Sequence, residues 1–233
     1  MNIAVIPARG GSKRIPKKNI YSFFDSPMIH YPIKMALESN LFDKVIVSTD
    51  DPEIAAISTQ AGAEVPWERS EILSNDYATT FEVIHDVALK VSKFFPECKN
   101  ICCIYPSTPL LNAELVLSGL NKLMESDAKF VVAVKKSNAL RSFKLDEEGN
   151  LKFIFPNNTL TRSQDLSQCF EDAGQFYWGT INSWLNEEGI FGDKTRLIEL
   201  TKFQSVDLDD LDDLEILKVI FEKTRREASG KNE

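Results

Sequence analysis

The stretch from Arg9 to Lys18 gathers five cations, Arg9, Lys13, Arg14, Lys17 and Lys18, around Gly10, Gly11, Ser12 and Pro16. Paired glycines let backbone amides come close to a ligand, Ser12 adds a hydroxyl donor, and the cations offset the charge of a bound anion. These are the parts of a polyphosphate site. The spacing is neither that of a Walker loop nor the GxGxxG of a dinucleotide fold. A solvated basic turn is the plain alternative, but the place directly behind a buried strand and the paired glycines favour the phosphate site.

A second chemical grouping lies almost two hundred residues away. Asp207 and Asp209 alternate with Val206 and Leu208, so in an extended segment both carboxylates project from one face. Such a pair suits Mg2+, which takes oxygen ligands and completes its shell with phosphate oxygens and water. The same acids also suit a helix start, where Asp209 or Asp210 would cap free amides. The residues alone leave both readings open. Asp50 is a candidate supporting or second-metal carboxylate. His30 and His85 fall within helical segments and are given no chemical role.

Four short apolar runs, Ile3 to Ile6, Val45 to Val47, Ile101 to Tyr105 and Phe130 to Val134, read as strands buried on both faces. Amphipathic segments between them read as helices. Ser26 with Pro27 predicts a helix start, followed by helix over Met28 to Ser39. Asp51 with Pro52 and Glu53 predicts another start, ending near Gly62. Thr79 with Glu82 is a capping-box pattern, and Asn112 is the expected cap of a helix over Ala113 to Ser126. Asp210 to Glu227 has the apolar spacing of a packing helix. This βαβα order predicts an α/β fold, a mostly parallel sheet with helices on both faces and a site at the carboxyl ends of the strands.

After Val134 the rhythm changes. Residues 135–172 are polar and irregular, with a hairpin turn expected at Glu148, Gly149 and Asn150, and read as an inserted lobe that closes a site or pairs two subunits. The whole, 1–233, reads as one domain with a frayed tail at 229–233.

Composition narrows the partners. A net charge of -8 argues against general attraction to nucleic acid or an anionic membrane, so an anionic substrate needs a local basic site. Cys98, Cys102, Cys103 and Cys169 have no zinc spacing and read as small apolar residues in a reducing cytoplasm. No apolar stretch approaches the roughly 20 residues needed to span a bilayer, and a strand opens the chain where a signal segment would stand. A cytoplasmic protein is expected.

The segment IPARGGSKRIPKKN, Ile6 to Asn19, closely resembles the first motif of the CMP-sialic acid synthetase (acylneuraminate cytidylyltransferase) family. The resemblance continues through VSTDDPEIA (Val47 to Ala55), ERSEILSND (Glu68 to Asp76), YPSTPLL (Tyr105 to Leu111) and VDLDDLDDL (Val206 to Leu214). It implies a three-layer, Rossmann-like nucleotide-diphospho-sugar transferase architecture and transfer of CMP from CTP to an acidic nine-carbon sugar, with release of pyrophosphate. It further implies that Arg9, Ser12 and Lys18 contact the nucleotide phosphates, with Gly10, Gly11 and Lys13 in the same loop. Asn19 and main-chain groups near Ala8 would read the cytosine or ribose end, Arg69 would lie on the nucleotide side, and Asp207 and Asp209 would hold Mg2+. Relatives of this kind are commonly dimers through the inserted lobe, so a homodimer is expected.

CFEDAGQFYWG, Cys169 to Gly179, looks most like the pseudaminic acid branch of that family. Tyr105 stands where the sialate branch commonly has glutamine, Phe170, Glu171 and Asp172 replace an arginine-containing stretch, and Arg14 replaces a frequent glycine. These departures point away from sialic acid, leaving legionaminic and sialic acids as alternative acceptors. Thr108, Gln175 and Tyr177 are the candidates to face the sugar. Two unrelated readings compete. A magnesium-dependent phosphatase would need its aspartates after the first strand, where Ala8 and Arg9 stand. A noncatalytic nucleotide sensor would have no use for both Asp207 and Asp209.

Overall fold

The computed structural model describes residues 1–228 and Gly230; the expected frayed tail, Gly230 apart, lies outside the described residues. In chain order the strands are β1 (Asn2–Pro7), β2 (Ser22–Phe23), β3 (Ser26–Pro27), β4 (Lys44–Ser48), β5 (Asn100–Ile104), β6 (Phe130–Ser137), β7 (Phe143–Leu145), β8 (Leu151–Phe153), β9 (Cys169–Thr180) and β10 (Thr195–Glu199). The helices are α1 (His30–Glu38), α2 (Pro52–Gln60), α3 (Thr80–Phe94), α4 (Ala113–Met124), α5 (Ile181–Asn186) and α6 (Leu211–Ala228).

Six strands form one sheet in the order β10-β6-β9-β5-β1-β4. β1 runs parallel to β4 and β5, and β10 parallel to β6, while β9 runs antiparallel to both β5 and β6. The sheet is buried on both faces, with alternate residues serving opposite cores. Ala4 and Ile6 of β1 pack with Ile33 of α1, Ile54 of α2 and Val116 of α4. Ile3 and Val5 pack with Ile84, Val87 and Val91 of α3 and Trp184 of α5. The result is the three-layer α/β arrangement expected from the motif order.

Most expected caps are present. Asp51 accepts from the amides of Glu53 and Ile54, Asn112 from that of Leu115, and Thr79 and Glu82 form a reciprocal box. Gly62, at φ 97°, follows the end of α2. The helix start at Ser26 is corrected. Ser26 and Pro27 pair back on Phe23 and Ser22 in a tight hairpin whose turn holds Phe24 at φ 52°. Met28 and Ile29 then donate their amides to the carbonyls of Tyr21 and Asn19, so those donors are already occupied and α1 begins only at His30.

Residues 135–172 contribute more to the sheet than expected. Lys135 to Ser137 pair with Glu171 to Cys169, carrying β6 and β9 beyond the main layer as an antiparallel arm. Between them lies the β7–β8 hairpin, with Gly149 at φ 82° in its turn and Asp146 accepting from the amides of Glu148 and Asn150.

A third core joins the two distant chemical groupings. Ile15 of the basic loop, Phe23 and Met28 of the hairpin region, Leu208, and Leu214 and Leu217 of α6 bury together. Burial of apolar area drives that association, and it brings the charged neighbours of Ile15 and Leu208 face to face.

Candidate active site

At the carboxyl ends of β1 and β5 lies a cavity of about 510 Å³, lined by Arg9, Ser12, Lys13, Arg14, Lys18 and Asn19 on one side and by Arg69, Asn75, Asp76, Thr80, Tyr105 and Ser107 on others, with Asp209 at its edge. Five cations against two carboxylates make it electropositive in a protein that is acidic overall. Ile15 is the anchor: with its side chain buried, Arg14 is directed outward and donates to Asp209 Oδ1 at 2.6 Å. Lys18 Nζ donates to the carbonyl of Leu208 at 2.7 Å, and burial holds its pKa below the ordinary lysine value despite the pull of Asp207 and Asp209. The basic loop and the carboxylate segment are therefore stitched together on both sides of Leu208.

On the opposite wall, Arg9 Nη1 donates to the carbonyl of Asn75 and to Asp76 Oδ1, each at 2.8 Å, while Lys13 pairs with Asp76 Oδ2. These contacts, first from Lys13 and then from Arg9, hold the Asp76 carboxyl below its ordinary value. Nothing local in the sequence signals this use of Asp76; its place in the ERSEILSND segment is the one hint.

Gly10 and Gly11 do not line the cavity. The amide of Gly10 donates to Asp50 Oδ1 at 3.2 Å, and a Cβ at Gly10 would stand 2.6 Å from Asp51 Oδ2, so this glycine serves a close approach between loops. Gly11 stands in open space. Ala8 is buried, and its amide extends the pairing of β1 with β4 by donating to the carbonyl of Ser48. Asn19 lines the cavity while its Nδ2 donates to the Arg9 carbonyl at 2.9 Å, which fixes the loop's shape. Arg69 is only 5% exposed. One of its terminal nitrogens donates to the Ser48 carbonyl, its buried Nε has no partner among the described residues, and burial lowers its pKa.

The acidic segment separates capping from chemistry. Asp210 caps α6 by accepting from the amides of Asp212 and Asp213, and Asp213 accepts from those of Asp209 and Asp210. The carboxylates of Asp207 and Asp209 take no part in the cap, and Leu208 is buried between them. Asp207 accepts no hydrogen bond from the described residues; burial and then Asp209 raise its carboxyl above the ordinary value. Gly174, at φ 59° in β9, lies against it, and a Cβ there would stand 3.1 Å from Asp207 Oδ2. Asp207 faces a second cavity of about 500 Å³, shared with Asp209 and with Lys135 and Lys202.

The side chains expected to face the sugar are placed one layer lower. Thr108, Gln175 and Tyr177 are buried and line neither cavity. Thr108 Oγ1 donates to the carbonyl of Tyr105, Tyr177 donates to Asp172 Oδ2 at 2.7 Å, and its ring packs edge-on against Tyr105. Gln175 accepts the Tyr105 amide through its backbone and donates through Nε2 to the carbonyl of Val206 at 3.2 Å. Their hydrogen bonds hold the Tyr105 carbonyl, the Asp172 carboxylate and the Val206 carbonyl. Tyr105 itself reaches the cavity, with its hydroxyl on Thr80 Oγ1 and its pKa pushed up to about 12 by burial.

A family model for cytidylyltransferases matches residues 3–227. The chain belongs to the cytidylyltransferase family and is a CTP-dependent nucleotidyltransferase. Across 97% of its length and 99% of the relative's, it is 35% identical to a pseudaminic acid cytidylyltransferase of Campylobacter jejuni subsp. jejuni. It is 30% identical to a CMP-N,N'-diacetyllegionaminic acid synthase of Legionella pneumophila, over 89% of this chain and 90% of that one. Among solved structures, a CMP:2-keto-3-deoxy-manno-octonic acid synthetase complexed with CTP superposes with a TM-score of 0.71, covering 96% of this chain and 99% of that chain at 17% identity. That likeness speaks for the fold alone. Among the described residues no helix is long and apolar enough to cross a membrane.

Proposed function

We propose that the protein transfers CMP from CTP to the anomeric hydroxyl of a nonulosonic acid, with pseudaminic acid as the acceptor, and releases pyrophosphate. The observation that carries this reading is the joining of a five-cation cavity to an uncapped carboxylate pair through the shared core of Ile15 and Leu208. The acceptor assignment rests on the near full-length likeness to a pseudaminic acid cytidylyltransferase.

The acceptor oxygen forms a bond to the α-phosphorus as the bond to the bridging oxygen of pyrophosphate breaks; the hydroxyl proton leaves to solvent or to a basic group. No covalent enzyme intermediate is required. Arg9, Lys13 and Lys18 hold and neutralise the departing diphosphate, and Arg69 and Asn19 bound the nucleotide side. Tyr105, Thr80 and Ser107 form the floor on which the acceptor is aligned. Alignment and charge stabilisation are what phosphoryl transfer chiefly demands.

Asp207 and Asp209 fit Mg2+. Both are hard oxygen donors, they flank one buried leucine, and Asp207 is desolvated beside a like charge without a hydrogen bond to relieve it. A pair rather than a full protein cage is usual for this ion, whose other positions go to phosphate oxygens and water. When bound, the metal would offset phosphate charge and acidify the acceptor hydroxyl.

We also read the protein as a homodimer through the 135–172 lobe, because Phe143, Leu145, Leu151 and Leu160 stand exposed there. Three buried free thiols, Cys98, Cys102 and Cys103, support a reducing, cytoplasmic setting. The test of function is pyrophosphate release from CTP and magnesium with pseudaminic, legionaminic, sialic and 3-deoxy-octulosonic acids offered separately. The expected result is fastest release with pseudaminic acid. Release confined to sialic acid would overturn the acceptor, and release with none of them would overturn the transferase reading.

A further inference from the structure

The phosphate cavity already contains an anion of the protein's own, the Asp76 carboxylate. Both oxygens of the Asp76 carboxylate are engaged, one by Arg9 at 2.8 Å and the other by Lys13, and the carbonyl of Asn75 takes a second contact from the same Arg9 nitrogen. A carboxylate bridging two loop cations has the charge and reach of one phosphate group.

Its backbone is held in place. Asn75 Oδ1 accepts from the amides of Tyr77 and Ala78 at 2.7 and 2.9 Å, and Asn75 Nδ2 donates to the carbonyl of Ile72 at 2.7 Å. The segment then runs directly into the capped start of α3 at Thr79. Asp76 is 40% exposed at its side chain, so its pairs are water-accessible and exchangeable, while the turn beneath it is fixed.

We propose that Asp76 is an internal competitor for the diphosphate end of CTP: it holds Arg9 and Lys13 in the free protein, yields them to the triphosphate, and retakes them as pyrophosphate departs. The proposal rests on reading the basic loop as the CTP phosphate grip. Any phosphate that uses both cations must first displace the carboxylate, so CTP affinity is reduced by that exchange and pyrophosphate release is favoured by it. Cytidine, without phosphate, is indifferent to Asp76. The residue thus specifies how tightly the diphosphate is held rather than which base is read.

The experiment is calorimetric titration of metal-free wild type and Asp76→Asn with CTP, inorganic pyrophosphate and cytidine, plus pyrophosphate inhibition of turnover. Exposed ion pairs are individually weak, so removing the competitor should tighten CTP and pyrophosphate by about two- to fivefold and lower the pyrophosphate inhibition constant alike. Cytidine affinity should not change. Asp76→Ala should reproduce the pattern, and both variants should stay folded, unfolding within about 4 °C of the wild-type temperature. Weakened pyrophosphate binding in folded variants would instead make Asp76 a scaffold for the loop, and unchanged binding would make its pairs idle; either overturns the proposal. Failure of the wild type to bind CTP or pyrophosphate would remove the phosphate-grip reading itself.

Discussion

Gln175→Leu separates a sugar ligand from a residue that positions the carboxylates. Gln175 is 2% exposed, and its Nε2 donates to the carbonyl of Val206 at 3.2 Å, immediately before Asp207. Leucine has a similar volume but no donor, so the Val206 carbonyl is left without that partner. An unpaired buried polar group costs about 1–3 kcal/mol, and the added apolar burial offsets part of it. The expected net loss is about 1–2 kcal/mol, a fall in Tm of roughly 2–8 °C for a chain of this size. Release of the Val206 segment moves Asp207, and misplacement of a reacting group by about 1 Å costs up to 10²-fold. Steady-state pyrophosphate assays should therefore show kcat reduced about ten- to a hundredfold, with acceptor KM changed less than about threefold. An acceptor KM raised tenfold or more, with kcat and Tm unchanged, would refute this reasoning and return Gln175 to the sugar.

Asp209→Asn should lower kcat by about 10²-fold or more while metal-free CTP binding, measured by calorimetry, stays within about threefold of wild type. The proposed dimer should become a monomer in light scattering when both Phe143 and Leu145 are substituted with Glu, because both are exposed on the β7–β8 hairpin; a monomeric wild type, or a variant dimer of unchanged size, would contradict it. The Asp76 carboxyl lies below its ordinary value of 3.8, so its ion pairs contribute above that value and are lost only as pH falls through the depressed one. The affinity gain of Asp76→Asn for pyrophosphate should accordingly be constant between about pH 5 and pH 8, and a gain that vanished within that window would contradict the pairing.

Local signals in the sequence were reliable where one segment decided the outcome. The buried runs around Ile3, Val45, Ile101 and Phe130 became strands, and Asp51, Thr79 and Asn112 became caps, because pattern and side-chain reach act over a few residues. Ser26 with Pro27 failed because the same pair suits a hairpin, and the carbonyls of Asn19 and Tyr21 claimed the amides that a capped helix would have left free. β10 has no clear pattern in the sequence because Thr195, Arg196 and Glu199 mask a short edge strand.

In the candidate site, the loop cations and the carboxylates Asp207 and Asp209 that the structure brings together stand out in the sequence, but their pairings do not. Arg14 meets Asp209 because Ile15 and Leu208 share a core, and Arg9 meets Asp76 on the opposite wall, relations that no local spacing encodes. Thr108, Gln175 and Tyr177 look like ligands because polar groups in an aromatic setting need partners. The structure supplies those partners from Tyr105, Val206 and Asp172, which leaves Tyr105 to reach the cavity.

Transfer by direct displacement requires the acceptor's own oxygen to attack the α-phosphorus. Pseudaminic acid carrying heavy oxygen in its anomeric hydroxyl, incubated with CTP, magnesium and the enzyme, should yield a CMP-sugar that retains the label at the bridging position, with unlabelled pyrophosphate. Loss of the label from the CMP-sugar, or no CMP-sugar at all, would contradict it.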